Sequence, residues 1–201
     1  MGSRPLVNPA RMSIELFRAF YSGRPDEERW ELIDGAAIMM TPPTLAHQVM
    51  AGNLQRLLNE ALERHDPSRV ALQRAGVNVG PTIQDYDPEP DVVVVDAVLA
   101  EQAEERYAGR FHLVAEIVSA SDRVDIADKR EIYKMHDTCT CILTIQQNRF
   151  AVRVDLRAAS GWREQILEGP EDILRLDDFG LRCAISEIYR GTALRPRSLR
   201  R

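Results

Sequence analysis

The sequence predicts an α+β or α/β domain in which a mixed β-sheet is flanked by helices. Three observations predict it. Segments with helical spacing alternate with short β-branched runs along the chain. The run Asp91-Val92-Val93-Val94-Val95 is too continuously apolar for a strand wet on one face, so it belongs in the centre of a sheet covered on both sides. The element order, helix, hairpin, helix, strands, helix, strands, suggests a mixed sheet flanked by helices.

Each element has its own signal. Residues 12–21 read as a short helix, with Ile14, Phe17 and Tyr21 on or near one face. Trp30–Ile33 and Ala36–Met40 read as strands joined at Asp34-Gly35, a pair that tolerates the positive φ angles of a tight hairpin. Pro42-Pro43-Thr44 breaks the chain and opens an amphipathic helix over Leu45–Arg64, where Met50, Leu54, Leu57, Leu58, Ala61 and Leu62 recur at helical spacing. Val70–Val79 alternates loosely and is expected as one strand, followed by a turn-rich loop from Pro81 to Pro88. After the strand at Asp91–Val95, Ala97–Tyr107 is expected to be a helix or a helical loop, Phe111–Val118 a strand and Val124–His136 a helix. Further β segments follow near 139–146, 149–156, 162–168 and 172–176, with Arg149 near a hairpin turn.

Length and composition set the outer limits. At 201 residues the chain fits one domain, expected over 12–190, with an N-terminal extension at 1–11 and a basic C-terminal tail at 191–201. The hydrophobic share of 44% and charged share of 28% are those of a soluble globular protein. A net charge of −5 counts against a passive nucleic-acid binder, which carries a basic face, but not against an enzyme whose carboxylates are neutralised by a metal. No apolar run reaches the roughly 18 residues of a membrane span, and residues 1–11 lack the apolar core of a signal peptide. A cytoplasmic location without membrane contact is the default expectation, and a homodimer the default assembly. Cys139, Cys141 and Cys183 form no disulfide framework. Cys139 and Cys141, two apart on an expected strand, should share a face as small buried hydrophobes.

Charged residues inside apolar runs are the candidates for chemistry, because burying a charge is costly unless it is paired or bound to a metal. Asp91 opens the central strand; the bland reading is a turn cap or a bridge to Arg74 or Arg110. Glu116 interrupts Phe111–Val118 on the face shared by His112, Val114 and Val118; the alternative is a salt bridge to the next helix. Lys129 either forms a surface pair with Asp125, four residues earlier, or reaches back to Glu116. His47, in the first turn of the long helix, is a cap or core residue, a ligand or a general base. Glu31 on the hairpin is either an edge charge or an inward-facing carboxylate. Carboxylates on core strands beside an ammonium group suit holding a hard divalent cation against a phosphate while water attacks.

As an ordered set these pieces are similar to a known group. Glu31-Leu32-Ile33-Asp34-Gly35, the segment from Pro42 to His47, Pro90-Asp91-Val92-Val93-Val94, Glu116-Ile117-Val118-Ser119-Ala120-Ser121 and Asp125–Tyr133 resemble the Uma-type restriction endonuclease family of the PD-(D/E)XK nuclease superfamily, over roughly residues 12–190. The resemblance implies a restriction-endonuclease-like fold and a Mg²⁺- or Mn²⁺-dependent endonuclease acting on DNA. It implies Asp91 and Glu116 as metal ligands, Lys129 as the cation that orients the attacking water, and Glu31 and His47 as accessory catalytic groups. A backbone carbonyl near Ile117 would complete the metal's oxygen set. The superfamily's usual lysine position, two after the glutamate, is Val118 here, and the lysine of the following helix takes its place. Arg74, Arg110, Arg123 and Arg130 are the candidate DNA contacts. Relatives carry an aromatic-rich strand ending in an acidic turn where this chain has residues 138–147. That departure, with the acidic charge, motivates two other readings: a catalytically silent relative that binds DNA or protein, and a structural homo-oligomer.

Overall fold

The computed structural model describes residues 11–25, 27–80, 83–101, 106–119 and 123–197, the side chains of 100 and 123–125 excepted. Helix α1 (Ile14–Ser22) is capped by Ser13 and packs Phe17 on a hairpin of β1 (Trp30–Ile33) and β2 (Ala36–Met39). Asp34 and Gly35 both take positive φ between these strands, the hairpin conformation the dipeptide predicts. Helix α2 (Leu45–His65) starts where the Thr44 side chain accepts a hydrogen bond from the His47 N–H at 3.2 Å.

The expected single strand over Val70–Val79 is two. Strand β3 (Arg69–Gln73) ends because Arg74 turns the chain with φ of 58°, and β4 (Gly76–Val77) joins a separate small sheet. Next come β5 (Val92–Asp96), α3 (Ala97–Glu101) and β6 (Tyr107–Ala108), the parallel partner of β4. Of the helix or helical loop expected over Ala97–Tyr107, residues 97–101 are helical, Tyr107 is in a strand, and residues 102–105 lie outside the described residues. Strand β7 (Phe111–Val118), α4 (Arg123–Met135), β8 (Cys141–Gln146), β9 (Val152–Ala158) and β10 (Gly161–Leu167) follow, Arg149 lying in the β8–β9 turn. A last hairpin pairs β11 (Ile173–Leu176) with β12 (Leu181–Ala184), a strand the sequence reading did not anticipate.

Six strands form the main sheet in the order β10-β9-β8-β7-β5-β3. Only β7 and β8 run parallel, so the chain must cross over between them, and α4 is that crossover. Met50, Leu54, Leu58 and Leu62 of α2 meet Val92, Val94, Leu113, Ala115 and Ile117 on one face of the sheet. Val93, Val114 and Ile142 face the other way and pack with Tyr133 of α4. The fold is thus α+β, a mixed sheet between helices. Alternation along β7 turns Glu116 toward α4.

Cys139 and Cys141 are both buried, but they face opposite sides of the sheet, contrary to the shared face expected from their spacing. The strand begins only at Cys141, so strand alternation does not extend back to Cys139. Residues 191–197, placed in a basic tail by the sequence, fold back onto the domain. The Arg195 guanidinium lies 2.7 Å from Glu187, and the Gly191 N–H donates to the Arg195 carbonyl at 2.8 Å. No helix among the described residues is long and apolar enough to cross a membrane.

Gly180 closes the turn before β12 with φ of 63°, and a Cβ there would lie 2.5 Å from Cβ of His65 on α2. Gly180→Ala is expected to lose about 1–2 kcal/mol from the left-handed backbone alone, with the His65 clash adding to it. An equilibrium urea titration showing unchanged stability would refute that.

Candidate functional site

The site forms where β5 and β7 begin and end. Val92 pairs with Ala115 across these antiparallel strands, so Asp91, one residue earlier, comes beside Glu116, one residue later. The Ile117 N–H donates to Asp91 Oδ2 at 2.8 Å, and Asp91 Oδ1 lies 2.8 Å from His47 Nε2. His47 reaches it from the first turn of α2, where the Thr44 cap fixes the helix start.

Glu116 receives two donors on one oxygen. The Tyr133 hydroxyl donates to Oε1 at 2.7 Å, and the Lys129 ammonium donates to the same atom at 3.3 Å. Lys129 and Tyr133 are four residues apart on α4, so both project from one helix face onto the strand. The Lys129 ammonium also donates to Glu31 Oε1 at 2.8 Å, which accepts the Glu89 N–H at 2.9 Å as well. Glu31, Glu116, Lys129 and Tyr133 are all buried.

Burial sets the electrostatics. Loss of water pushes the Glu116 carboxyl up to about 7; Lys129 opposes this, while the charges of Asp91 and Glu31 add to it. Burial pulls the Lys129 ammonium down, but the Glu116 and Glu31 carboxylates outweigh it and hold the group above its ordinary value, charged. Burial, and then the Glu116 and Glu31 charges, drive the Tyr133 phenol well above its ordinary value, so its hydroxyl remains a donor. Farther out, burial also raises Asp87 and Glu89 against the pull of Arg18 and Arg29, their ion-pair partners at 2.9 and 2.8 Å.

All five side chains singled out in the sequence gather here: Glu31, His47, Asp91, Glu116 and Lys129. Ile117 joins them through its backbone. The bland alternatives fall away in part. Arg110 pairs with Asp96 at 3.3 Å rather than with Asp91, and Lys129 turns inward to two carboxylates. The Asp125 side chain lies outside the described residues, as does that of Arg123. Arg130 is not available to DNA: its guanidinium is buried in a bidentate pair with Asp155 at 2.7–3.0 Å. Tyr133 is the group that sequence reasoning missed; its position four residues after Lys129 was the available signal.

The donors present suit a hard cation. Three carboxylates, from Glu31, Asp91 and Glu116, face one ammonium group and one imidazole. Glu116 Oε2 takes no hydrogen bond among the described residues, which leaves its lone pairs for a ligand. Oxygen donors with excess negative charge are the set that Mg²⁺ or Mn²⁺ requires. Among the described residues no three His, Cys, Asp or Glu side chains close into a ligand cluster. A cation here would therefore draw on the Asp91 and Glu116 pair with backbone or water oxygens.

Two comparisons with known proteins match this arrangement in fold and family. Residues 14–186 match the family model "Uma2: Putative restriction endonuclease". The solved structure of a "putative nuclease belonging to DUF820" from Anabaena variabilis ATCC 29413 superposes with a TM-score of 0.67. That alignment covers 86% of this chain and 96% of the other at 15% identity, a likeness of fold. No curated protein matches the chain.

Proposed function

The chain belongs to the Uma2 family, and on that premise we propose that it is a metal-dependent endonuclease that hydrolyses DNA phosphodiester bonds. The observation that supports this most is the convergence of Glu31 and Glu116 on Lys129, with Asp91 beside Glu116, from four separate parts of the chain. Asp91 and Glu116, with the Ile117 backbone carbonyl, are the groups that would hold Mg²⁺ or Mn²⁺. When bound, that ion polarises the scissile phosphate and makes a bound water more acidic.

The chain's own residues do the rest. His47 and the Ile117 N–H fix the two oxygens of Asp91. Lys129 supplies fixed positive charge where the attacked phosphate gathers negative charge. Glu31 keeps that ammonium charged and aimed by holding it at 2.8 Å. Because these groups are anchored before substrate arrives, little reorganisation is needed at the moment of reaction.

Plasmid cleavage in Mg²⁺ or Mn²⁺ tests the assignment. Asp91→Ala and Glu116→Ala should each remove cleavage, by roughly 10²–10³-fold or more. Cleavage at the parental rate in both variants would exclude this site.

A second reading is a catalytically silent member of the fold that binds DNA or protein. Its support is the internal pairing already present, with Lys129 neutralising two of the carboxylates, and the net charge of −5. Calorimetric titration with Mn²⁺ separates the two, since the silent protein takes up no ion at this site.

A further inference from the structure

We propose that Tyr133 is a positioning residue for Glu116: its hydroxyl secures Oε1 and so presents Oε2 to a divalent cation. This rests on the nuclease reading above and assigns the site a group outside the five acidic, basic and imidazole side chains already described.

Distance decides which donor does the positioning. Lys129 divides its ammonium between two acceptors and lies closer to Glu31, at 2.8 Å, than to Glu116, at 3.3 Å. The phenol has one acceptor among the described residues, Glu116 Oε1, and holds it at 2.7 Å. Lys129 alone would leave the Glu116 carboxylate free to rotate about its last torsion, which is broad for glutamate. Tyr133 removes that freedom. Both donors converge on Oε1, leaving Oε2 as the oxygen without a hydrogen bond among the described residues.

The ring is as firmly placed as its hydroxyl. Tyr133 is fully buried in the cluster with Val93, Val114 and Ile142, and meets Phe111 edge to face at 6.2 Å between centroids. Packing by itself calls only for a phenylalanine. A buried hydroxyl costs free energy to desolvate unless it is used, and here its use is the carboxylate that would ligate the ion.

Tyr133→Phe isolates the hydroxyl, because the ring that fills the core is kept. Mn²⁺ binding, measured by calorimetry without DNA, should weaken by roughly 10–100-fold, the usual effect of losing a group that orients a metal ligand. The Mn²⁺ concentration for half-maximal plasmid cleavage should rise in step, while cleavage at saturating Mn²⁺ stays within about threefold of the parent, as expected when ion uptake rather than the chemical step is impaired. Thermal melting of the variant, read alongside, confirms that it is folded. If folded Tyr133→Phe binds Mn²⁺ as tightly as the parent while Glu116→Gln does not bind it, the positioning role is overturned and the metal site stands. If the parent itself takes up no Mn²⁺, the nuclease reading fails and the role of Tyr133 fails with it.

Discussion

Glu116→Gln should abolish DNA cleavage while leaving the metal-free protein at least as stable as the parent at pH 8. The glutamine Oε1 can accept from Tyr133 and Lys129 as the glutamate Oε1 does, at 2.7 and 3.3 Å. What changes is the second oxygen, replaced by an amide nitrogen that repels a cation. Cleavage should fall by roughly 10²–10³-fold or more. The stability side follows from linkage. Burial raises the Glu116 carboxyl to about 7 from an ordinary 4.5. A carboxyl raised in the folded state adds stability that is fully present below its unfolded value and is lost as pH rises through the folded one. The parent, without metal, should therefore lose stability between about pH 5 and pH 8, and the glutamine variant should lack that loss. Thermal melts of both proteins across this range, in EDTA, give the comparison. A glutamine variant that melts far below the parent at pH 8 would show the carboxylate to be structural instead.

Asp155→Ala should cause the largest loss of stability, about 3–5 kcal/mol, because it strands a buried guanidinium. Asp155 is buried on β9 and accepts Arg130 Nε at 3.0 Å and Nη2 at 2.7 and 2.8 Å. Lys134 and Arg153 each lie 3.6 Å from the same carboxylate but also pair with Glu131 and Glu164, so its removal leaves Arg130 as the cation that loses its counter-ion. For a domain of this size the cost corresponds to a fall in Tm of roughly 10 °C. The pair also ties α4 to the sheet, and α4 carries Lys129 and Tyr133, so cleavage should decline with stability. A double variant, Arg130→Met with Asp155→Leu, should recover much of the loss, since an apolar pair of similar volume can replace a buried ion pair. A loss below about 1 kcal/mol in Asp155→Ala, measured by chemical denaturation, would refute the argument.

Much of this was legible in the chain because local rules encode it. The 3.6-residue spacing of Met50, Leu54, Leu58 and Ala61 gives α2 and its buried face, and Asp34-Gly35 gives the hairpin. Alternation along Phe111–Val118 separates Glu116 from Leu113, Ala115 and Ile117 before any partner is known. The misreadings share a cause. Val70–Val79 has strand composition throughout, but Arg74 adopts a left-handed backbone because the chain must turn to pair Gly76 with Tyr107, 31 positions later. Cys139 precedes the first residue of its strand, so the strand's alternation does not govern which way it faces. Arg130 reads as a candidate DNA contact from the sequence, because its partner, Asp155, is on a strand 25 residues away.

The sequence by itself determined most of the secondary elements, the placement of Val92–Val95 inside the sheet with both faces covered, and the identity of the charged residues set into apolar runs. Periodicity and turn chemistry act within a few residues, so they survive being read one segment at a time. Only the tertiary structure decided that Val92 stands opposite Ala115, which brings Asp91 to Glu116, and that α4 crosses over between parallel β7 and β8 with Lys129 and Tyr133 turned inward. Register and crossover depend on which distant surfaces bury each other best, a property of the packed chain that no single segment carries.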